Sequence, residues 1–184
     1  MEPITLEELL QSRDNRQERQ RRFLSETNCK TLICLTVVMP GSVKINKESL
    51  VIGLAAKDEI IKTFNKNTID SEEHILKTGY EFYLTTDIEP LKAKKLCCLI
   101  EENHILGRLF DIDILDKNFN IISREQVGYE KRKCLLCDNE ARFCMRNFTH
   151  TTQELLCRIK QLTDEFLTFS PEFSLKYQEI FNDF

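Results

Sequence analysis

Residues 107–115 read Gly-Arg-Leu-Phe-Asp-Ile-Asp-Ile-Leu. Apolar Phe110, Ile112 and Ile114 alternate with Asp111 and Asp113, and a period of two is that of a strand. One face of this strand can pack on a core while the other presents two carboxylates side by side. Adjacent like charges repel, and a cation between them relieves the repulsion. A hard ion such as Mg²⁺ suits the pair, because it binds carboxylate oxygens together with the oxygens of a substrate phosphate. Gly107 lets backbone approach a ligand closely, and Arg108 adds a planar cation shaped for phosphate. The plainer alternative is a solvated strand with polar residues on its outer face.

Outward from this strand the chain separates into three parts. Residues 1–25 begin with a capping box, Thr5-Leu6-Glu7-Glu8, and a short helix with Leu6, Leu9 and Leu10 on its apolar edge. An arginine-rich stretch follows at 12–22, where five arginines face only Asp14 and Glu18. Helical spacing places Arg13, Arg16 and Gln20 on one face, either as a solvated surface or as donors to a phosphate chain. Residues 30–125 carry the sheet: strands are expected at 31–38, 80–86, 95–101, 109–115 and 119–123, with a helix at 46–67 buried through Leu50, Val51, Leu54, Ile61 and Phe64. A hairpin turn is expected at Asp116-Lys117-Asn118. Residues 131–184 read as a cysteine-rich segment and helices at 133–147, 151–169 and 171–183, the last docking through Phe173, Tyr177, Ile180 and Phe184. The order predicts a single α+β domain, a mainly antiparallel sheet flanked by helices, with a helical C-terminus.

Composition narrows the functional classes. The chain has 184 residues, 30% of them charged and 41% hydrophobic, which is the balance of an ordinary globular domain. Its net charge of -4 attracts no nucleic acid, so any polyanion must meet a local patch. No apolar run is long enough to span a membrane, and the N-terminus lacks the apolar region of a secretory signal. Eight cysteines in such a chain are expected as reduced thiols or metal ligands in the cytoplasm.

Four metal-ligand types cluster late in the chain: Cys134, Cys137, Cys144 and His150, within 17 residues. Three thiols and an imidazole suit a closed tetrahedral zinc site. The competing reading is one helix over 133–147 with Cys134, Cys137, Ala141 and Cys144 as a buried small-residue stripe. That helix would separate Cys134 from Cys144 by about 15 Å and preclude shared ligation. Neither glycine nor proline interrupts the segment.

Taken in order, residues 107–113, Ile122-Ser123-Arg124, Arg132-Lys133-Cys134-Leu135-Leu136-Cys137-Asp138 and 144–150 resemble one family. So do 12–20 and 36–44. This is the citrate lyase holo-acyl-carrier-protein synthase family, the apo-citrate lyase phosphoribosyl-dephospho-CoA transferases (CitX). The resemblance runs from about residue 5 to about residue 165. It implies transfer of a group from 2'-(5''-triphosphoribosyl)-3'-dephospho-CoA to a serine of the acyl-carrier (gamma) subunit of citrate lyase, with release of diphosphate. Under that reading Asp111 and Asp113 hold Mg²⁺, Arg108 and Arg124 bind donor phosphates, and Arg13 and Arg16 close over them. Lys131 or Arg132 assists. The serine proton could pass to the acidic pair, a metal-bound hydroxide, Glu101 or His104, and Glu101 could complete a metal-binding trio. A structural hydrogen bond is the other role open to His104.

Two alternatives stay open on the residues alone. One is a non-catalytic module that holds a carrier protein or CoA-like ligand, with the cysteines as a structural metal knot. The other is an enzyme using a simpler nucleotide donor. Strand order is also open, since the Gly-Ser element that opens a helix ahead of the acidic pair in polymerase-type nucleotidyltransferases is not found here.

Overall fold

The computed structural model describes residues 2–182. Helix α1 (Leu6–Glu26) leads into strand β1 (Thr31–Val37) and helix α2 (Lys47–Phe64). A hairpin of β2 (Thr68–Leu76) and β3 (Gly79–Thr86) follows, then α3 (Pro90–Asn103) and β4 (Phe110–Asp116). Helices α4 (Ala141–Asn147), α5 (Thr152–Phe169), α6 (Pro171–Lys176) and α7 (Gln178–Asn182) complete the described chain. The four strands form one sheet in the order β2-β3-β1-β4, antiparallel at every pairing. The α+β architecture with a helical C-terminus is thus as expected.

The two sheet faces differ in what covers them. Ile33 and Leu35 of β1, Phe82 and Leu84 of β3, and Phe110, Ile112 and Ile114 of β4 point into the main core with α2, α3 and α5. Buried side chains of this size each stabilise the fold by about 1.5–3 kcal/mol. Helix α2 lies close enough that a Cβ on Gly53 would fall 2.4 Å from the Tyr80 ring, so only glycine fits there. On the opposite face α1 packs Phe23 and Leu24 over Leu32, Cys34, Tyr83 and Leu115. That second cover is small, and polar residues occupy the rest of the face.

Several local expectations hold. Thr5 caps α1 through a reciprocal bond with Glu8; Asn46 and Thr151, not singled out from sequence, cap α2 and α5 in the same way. The stretch 12–22 continues α1 without a break, so one helix replaces the two anticipated at the N-terminus. In α2, Leu50, Val51, Leu54 and Phe64 are buried, but Ile60 takes the core position assigned to Ile61, which is 40% exposed.

Other segments depart from expectation. Residues 95–101 belong to α3, not to a strand. Pro90 occupies the first turn, where its missing N–H costs nothing, and Ala93, Lys94, Cys97, Cys98 and Glu101 recur at helical spacing as the buried face. Strand β2 was not anticipated: as an edge strand lying mostly in solvent, it carries no apolar period. Residues 119–123 make only a single bridge, Leu115 to Ile121; Asp116 accepts from the backbone N–H of Asn118 and Asn120, turning the chain there. The segment 171–183 forms two short helices, interrupted at Tyr177. Phe173 and Tyr177 are buried and Ile180 packs beside them, whereas Asp183 and Phe184 lie outside the described residues.

Candidate functional site

The acidic pair lies on the partly uncovered face. Register sets Asp111 across from Thr36 and Asp113 across from Cys34, with Glu81 and Tyr83 one strand further. The Thr36 hydroxyl donates to Asp111 Oδ2 at 3.2 Å, and an Arg132 guanidinium N–H donates to Asp111 Oδ1 at 3.2 Å. Surrounding protein pushes the Asp113 carboxyl up, and the Asp111 charge adds to the push, against the pull of Lys94, Arg132 and Arg16. Lys94 is buried and donates to the Ile112 carbonyl at 2.8 Å, which holds its ammonium beneath the strand. A cleft of about 350 Å³ opens here, lined by Lys94, Asp111, Asp113, Ser123, Arg124 and Arg132.

Glu101 organises the cationic side of this cleft. It sits in the last turns of α3, only 4% exposed, and pairs with Arg132 through one oxygen and with Arg124 through the other. Arg124 also pairs with Glu102, donates to the Glu130 carbonyl at 3.1 Å and lies over the Tyr129 ring. Burial pushes the Glu101 carboxyl up while Arg132, Lys94 and Arg124 pull it down. Both oxygens are committed to guanidiniums, so Glu101 aims arginines at the acidic strand.

Gly107 has a packing reason. A Cβ there would stand 2.1 Å from the Glu101 carbonyl oxygen, so glycine lets the loop close on the end of α3 and start β4 at the right place. The close approach is to backbone. Arg108 is half-buried and forms no ion pair with a carboxylate among the described residues; burial, then the nearby Arg132 charge, lower its affinity for its proton. His104 lies on the other side of the sheet. Its Nδ1 accepts from the Leu106 N–H at 3.0 Å, and its ring packs on Phe110 and Phe166 in the main core. Burial depresses its basicity. The structure brings Glu101, Arg124, Arg132 and the acidic pair together and leaves His104 apart from them.

Helix α1 contributes a second cationic group. Arg16 and Arg19 grip the buried Glu81 at 3.2 and 3.0 Å, and the Tyr83 hydroxyl donates to the same carboxylate at 2.6 Å. Arg13 points into solvent. Arg19, Glu81 and Lys94 were not among the residues picked from sequence. Glu81 carried a signal: a lone carboxylate amid Tyr80, Phe82, Tyr83 and Leu84 requires a buried cation. Lys94 had none while its segment read as a strand.

The cysteine segment is not one helix. Residue 133 bridges residue 140, the Cys134 N–H donates to the Asn139 carbonyl, and the Ala141 N–H donates to the Arg132 carbonyl. This tight hairpin turns the chain before α4 begins. Phe148 then adopts a left-handed conformation, φ 48°, that ends α4 and swings His150 back. As a result one ligand atom from each of Cys134, Cys137, Cys144 and His150 lies within 4.8 Å of the others. Burial raises the Cys134 thiol, but the N–H groups of Leu136 and Cys137 and the neighbouring thiols outweigh it and favour the thiolate. Three sulfurs and a nitrogen at this spacing could hold a metal ion. Its hairpin also delivers Arg132 to Asp111.

No helix among the described residues is long and apolar enough to cross a membrane. The family model described as apo-citrate lyase phosphoribosyl-dephospho-CoA transferase (CitX) matches residues 4–166. The chain is 31% identical over 167 residues to a probable apo-citrate lyase phosphoribosyl-dephospho-CoA transferase of Vibrio cholerae, covering 89% of this chain and 93% of that protein. It is 33% identical over 162 residues to the enzyme so named in Citrobacter koseri, covering 86% and 88%. With the Escherichia coli enzyme of that name it shares 33% over 166 residues, covering 88% and 90%. The four-stranded sheet, its acidic strand and its cysteine hairpin all fall within the matched span, and the chain belongs to the apo-citrate lyase phosphoribosyl-dephospho-CoA transferase family.

Proposed function

We propose that the chain transfers the phosphoribosyl-dephospho-CoA group from 2'-(5''-triphosphoribosyl)-3'-dephospho-CoA to a serine of the acyl-carrier (gamma) subunit of citrate lyase. The observation that carries this is the pair Asp111 and Asp113 facing Lys94, Arg124 and Arg132 across one cleft, in a chain of this family. The serine oxygen attacks the donor's α-phosphorus, the bond to the β-phosphate breaks, and diphosphate leaves. Such displacement depends on positioning and charge neutralisation, which fixed cations supply without reorganising. Arg132, anchored by Glu101, and Lys94, anchored by the Ile112 carbonyl, hold their charges beside the reacting phosphates. Arg124 flanks them.

Asp111 and Asp113 suit Mg²⁺: their oxygens are hard ligands on one strand face, and each carboxylate's charge opposes the other's. Bound there, Mg²⁺ would neutralise phosphate charge and align the donor. The serine proton has the acidic pair as its nearest acceptors, since both Glu101 oxygens hold guanidiniums and His104 faces the core. Cys134, Cys137, Cys144 and His150 suit zinc in a structural role, a closed set of three thiolates and one imidazole. Free thiols of this number suit the reducing cytoplasm.

The test weighs the intact carrier. Purified chain, apo-gamma subunit, triphosphoribosyl-dephospho-CoA and Mg²⁺ are mixed, with Mg²⁺-free controls. The carrier should gain the mass of the prosthetic group only with Mg²⁺, and not with Asp111→Asn. An unchanged carrier mass with folded, zinc-loaded protein would refute the assignment.

A further inference from the structure

A second cavity, of about 500 Å³, lies beside the acidic cleft and shares Arg132 and Ala141 with it. Its character is different. Val38, Met39, Leu135 and Leu155 make much of its wall, which Arg108, Lys133 and the cluster residues Cys134, Cys144 and His150 also line. Two of its lining side chains are left in water: Met145 is 68% exposed and Phe148 89%. Phe148 is also held in a left-handed backbone conformation, which bulky residues rarely adopt. The half-buried Arg108 adds an unpaired cation among the described residues, close enough to the shared Arg132 to feel its charge.

An apolar hollow of this volume is on the scale of a small-molecule site, and its few cations would fix the ligand's orientation. The proposed donor supplies a matching chemistry. From its reacting triphosphate it continues through a ribose into dephospho-CoA, which carries a diphosphate and a long pantetheine arm. We propose that this cavity binds the dephospho-CoA portion of the donor, with Arg108 and Lys133 meeting its diphosphate and the pantetheine arm lying along Val38, Met145 and Phe148. The inference rests on the proposed donor, and it assigns a part of that donor which the acidic cleft leaves unaccounted for. Continuity through Arg132 favours one extended ligand over a protein partner, because a single molecule then spans both hollows.

Dephospho-CoA itself is the probe, measured by titration calorimetry on the intact, zinc-loaded chain, with ADP as the ligand that lacks the arm. Dephospho-CoA should bind at least about tenfold tighter than ADP. Met145→Glu and Val38→Glu place a charge in the arm's path at exposed positions that folding does not depend on, and each should weaken dephospho-CoA by about tenfold or more. Phe148→Ala should weaken it as well. Equal affinity for ADP, absent binding, or affinity unchanged in these variants would overturn the inference. So would a rise in the carrier's KM with the donor's KM unchanged, which would make the hollow a carrier-docking surface. Calorimetry needs no turnover. Arm-dependent binding without carrier modification would therefore support this site while refuting the transfer assignment, and modification without such binding would do the reverse.

Discussion

Glu101→Gln separates two roles that one carboxylate can play. As a metal ligand, its loss would raise the Mg²⁺ requirement of transfer. As the anchor of Arg124 and Arg132, its loss would leave metal dependence alone but loosen the cations of the cleft. The structure favours the anchor, because each oxygen already holds a guanidinium. Removing one partner of a buried ion pair costs about 3–5 kcal/mol when the other is left fully buried. Here the arginine side chains keep 12% and 21% of their exposure, Arg124 retains Glu102 and Arg132 retains Asp111. The amide also keeps one acceptor oxygen. A loss of about 2–3 kcal/mol follows, read as a lower urea midpoint at unchanged slope. Freed from Glu101, Arg132 should draw closer to Asp111, so kcat/KM for the donor should fall about tenfold or more. Half-maximal Mg²⁺ should stay where it is. A normal urea midpoint together with a raised Mg²⁺ requirement would refute the anchor role and return Glu101 to the metal.

Gly107→Ala should cost about 2–3 kcal/mol by urea denaturation, because its Cβ meets the Glu101 carbonyl and backbone must move; wild-type stability would show that the loop closes differently. Asp113→Asn should abolish transfer yet raise the thermal midpoint at pH 7 in Mg²⁺-free buffer. The sign follows from a carboxyl pushed up in the folded state: its contribution to stability is intact below about pH 4, the unfolded value, and is lost as pH rises through the higher folded one. The variant's advantage should therefore vanish in acid, and an equal advantage at pH 3 would contradict this origin. Cys137→Ser should lose bound zinc, counted by elemental analysis at one per wild-type chain, and lower the thermal midpoint by about 5–10 °C. Wild-type protein with no zinc after purification in its presence would exclude the site.

Residues 110–114 were legible because the same alternation that buries Phe110, Ile112 and Ile114 must expose Asp111 and Asp113. Pattern and site are one fact there. The helix at 47–64 and the cap at Thr5 were readable for a similar reason, since side chain and backbone partner lie within one turn. Residues 95–101 misled because Leu-Cys-Cys-Leu-Ile is a short unbroken apolar run, which fits a buried strand or a helix equally. The arbiter was upstream, in Pro90 and Ala93. That error propagated to function: on a strand, Glu101 looks like a third metal ligand, whereas on α3 it faces two arginines from distant loops. Strand β2 stayed hidden because an edge strand in solvent has no apolar side to announce it.

The cysteine hairpin shows a different limit. Ligand spacing identified the right four residues, but helix propensity over 133–147 argued against their meeting, and no glycine or proline resolved the conflict. What bends the chain is a set of contacts invisible one residue at a time. The residue 133–140 bridge turns the segment, and the left-handed Phe148 reverses it. A metal binding all four ligands would repay that strained backbone, and the same turn carries Arg132 to Asp111 and Glu101. Zinc on these four ligands would couple metal binding to donor binding through two residues of chain. Arg132 reaches the acidic strand from this hairpin, which a metal on the four ligands would hold shut, so stripping that metal should weaken donor binding before it unfolds the sheet. His104 makes the converse point. It stands three residues from Gly107 in sequence, yet it caps α3 and its ring packs on Phe110 and Phe166, with the whole thickness of the sheet between it and the carboxylates.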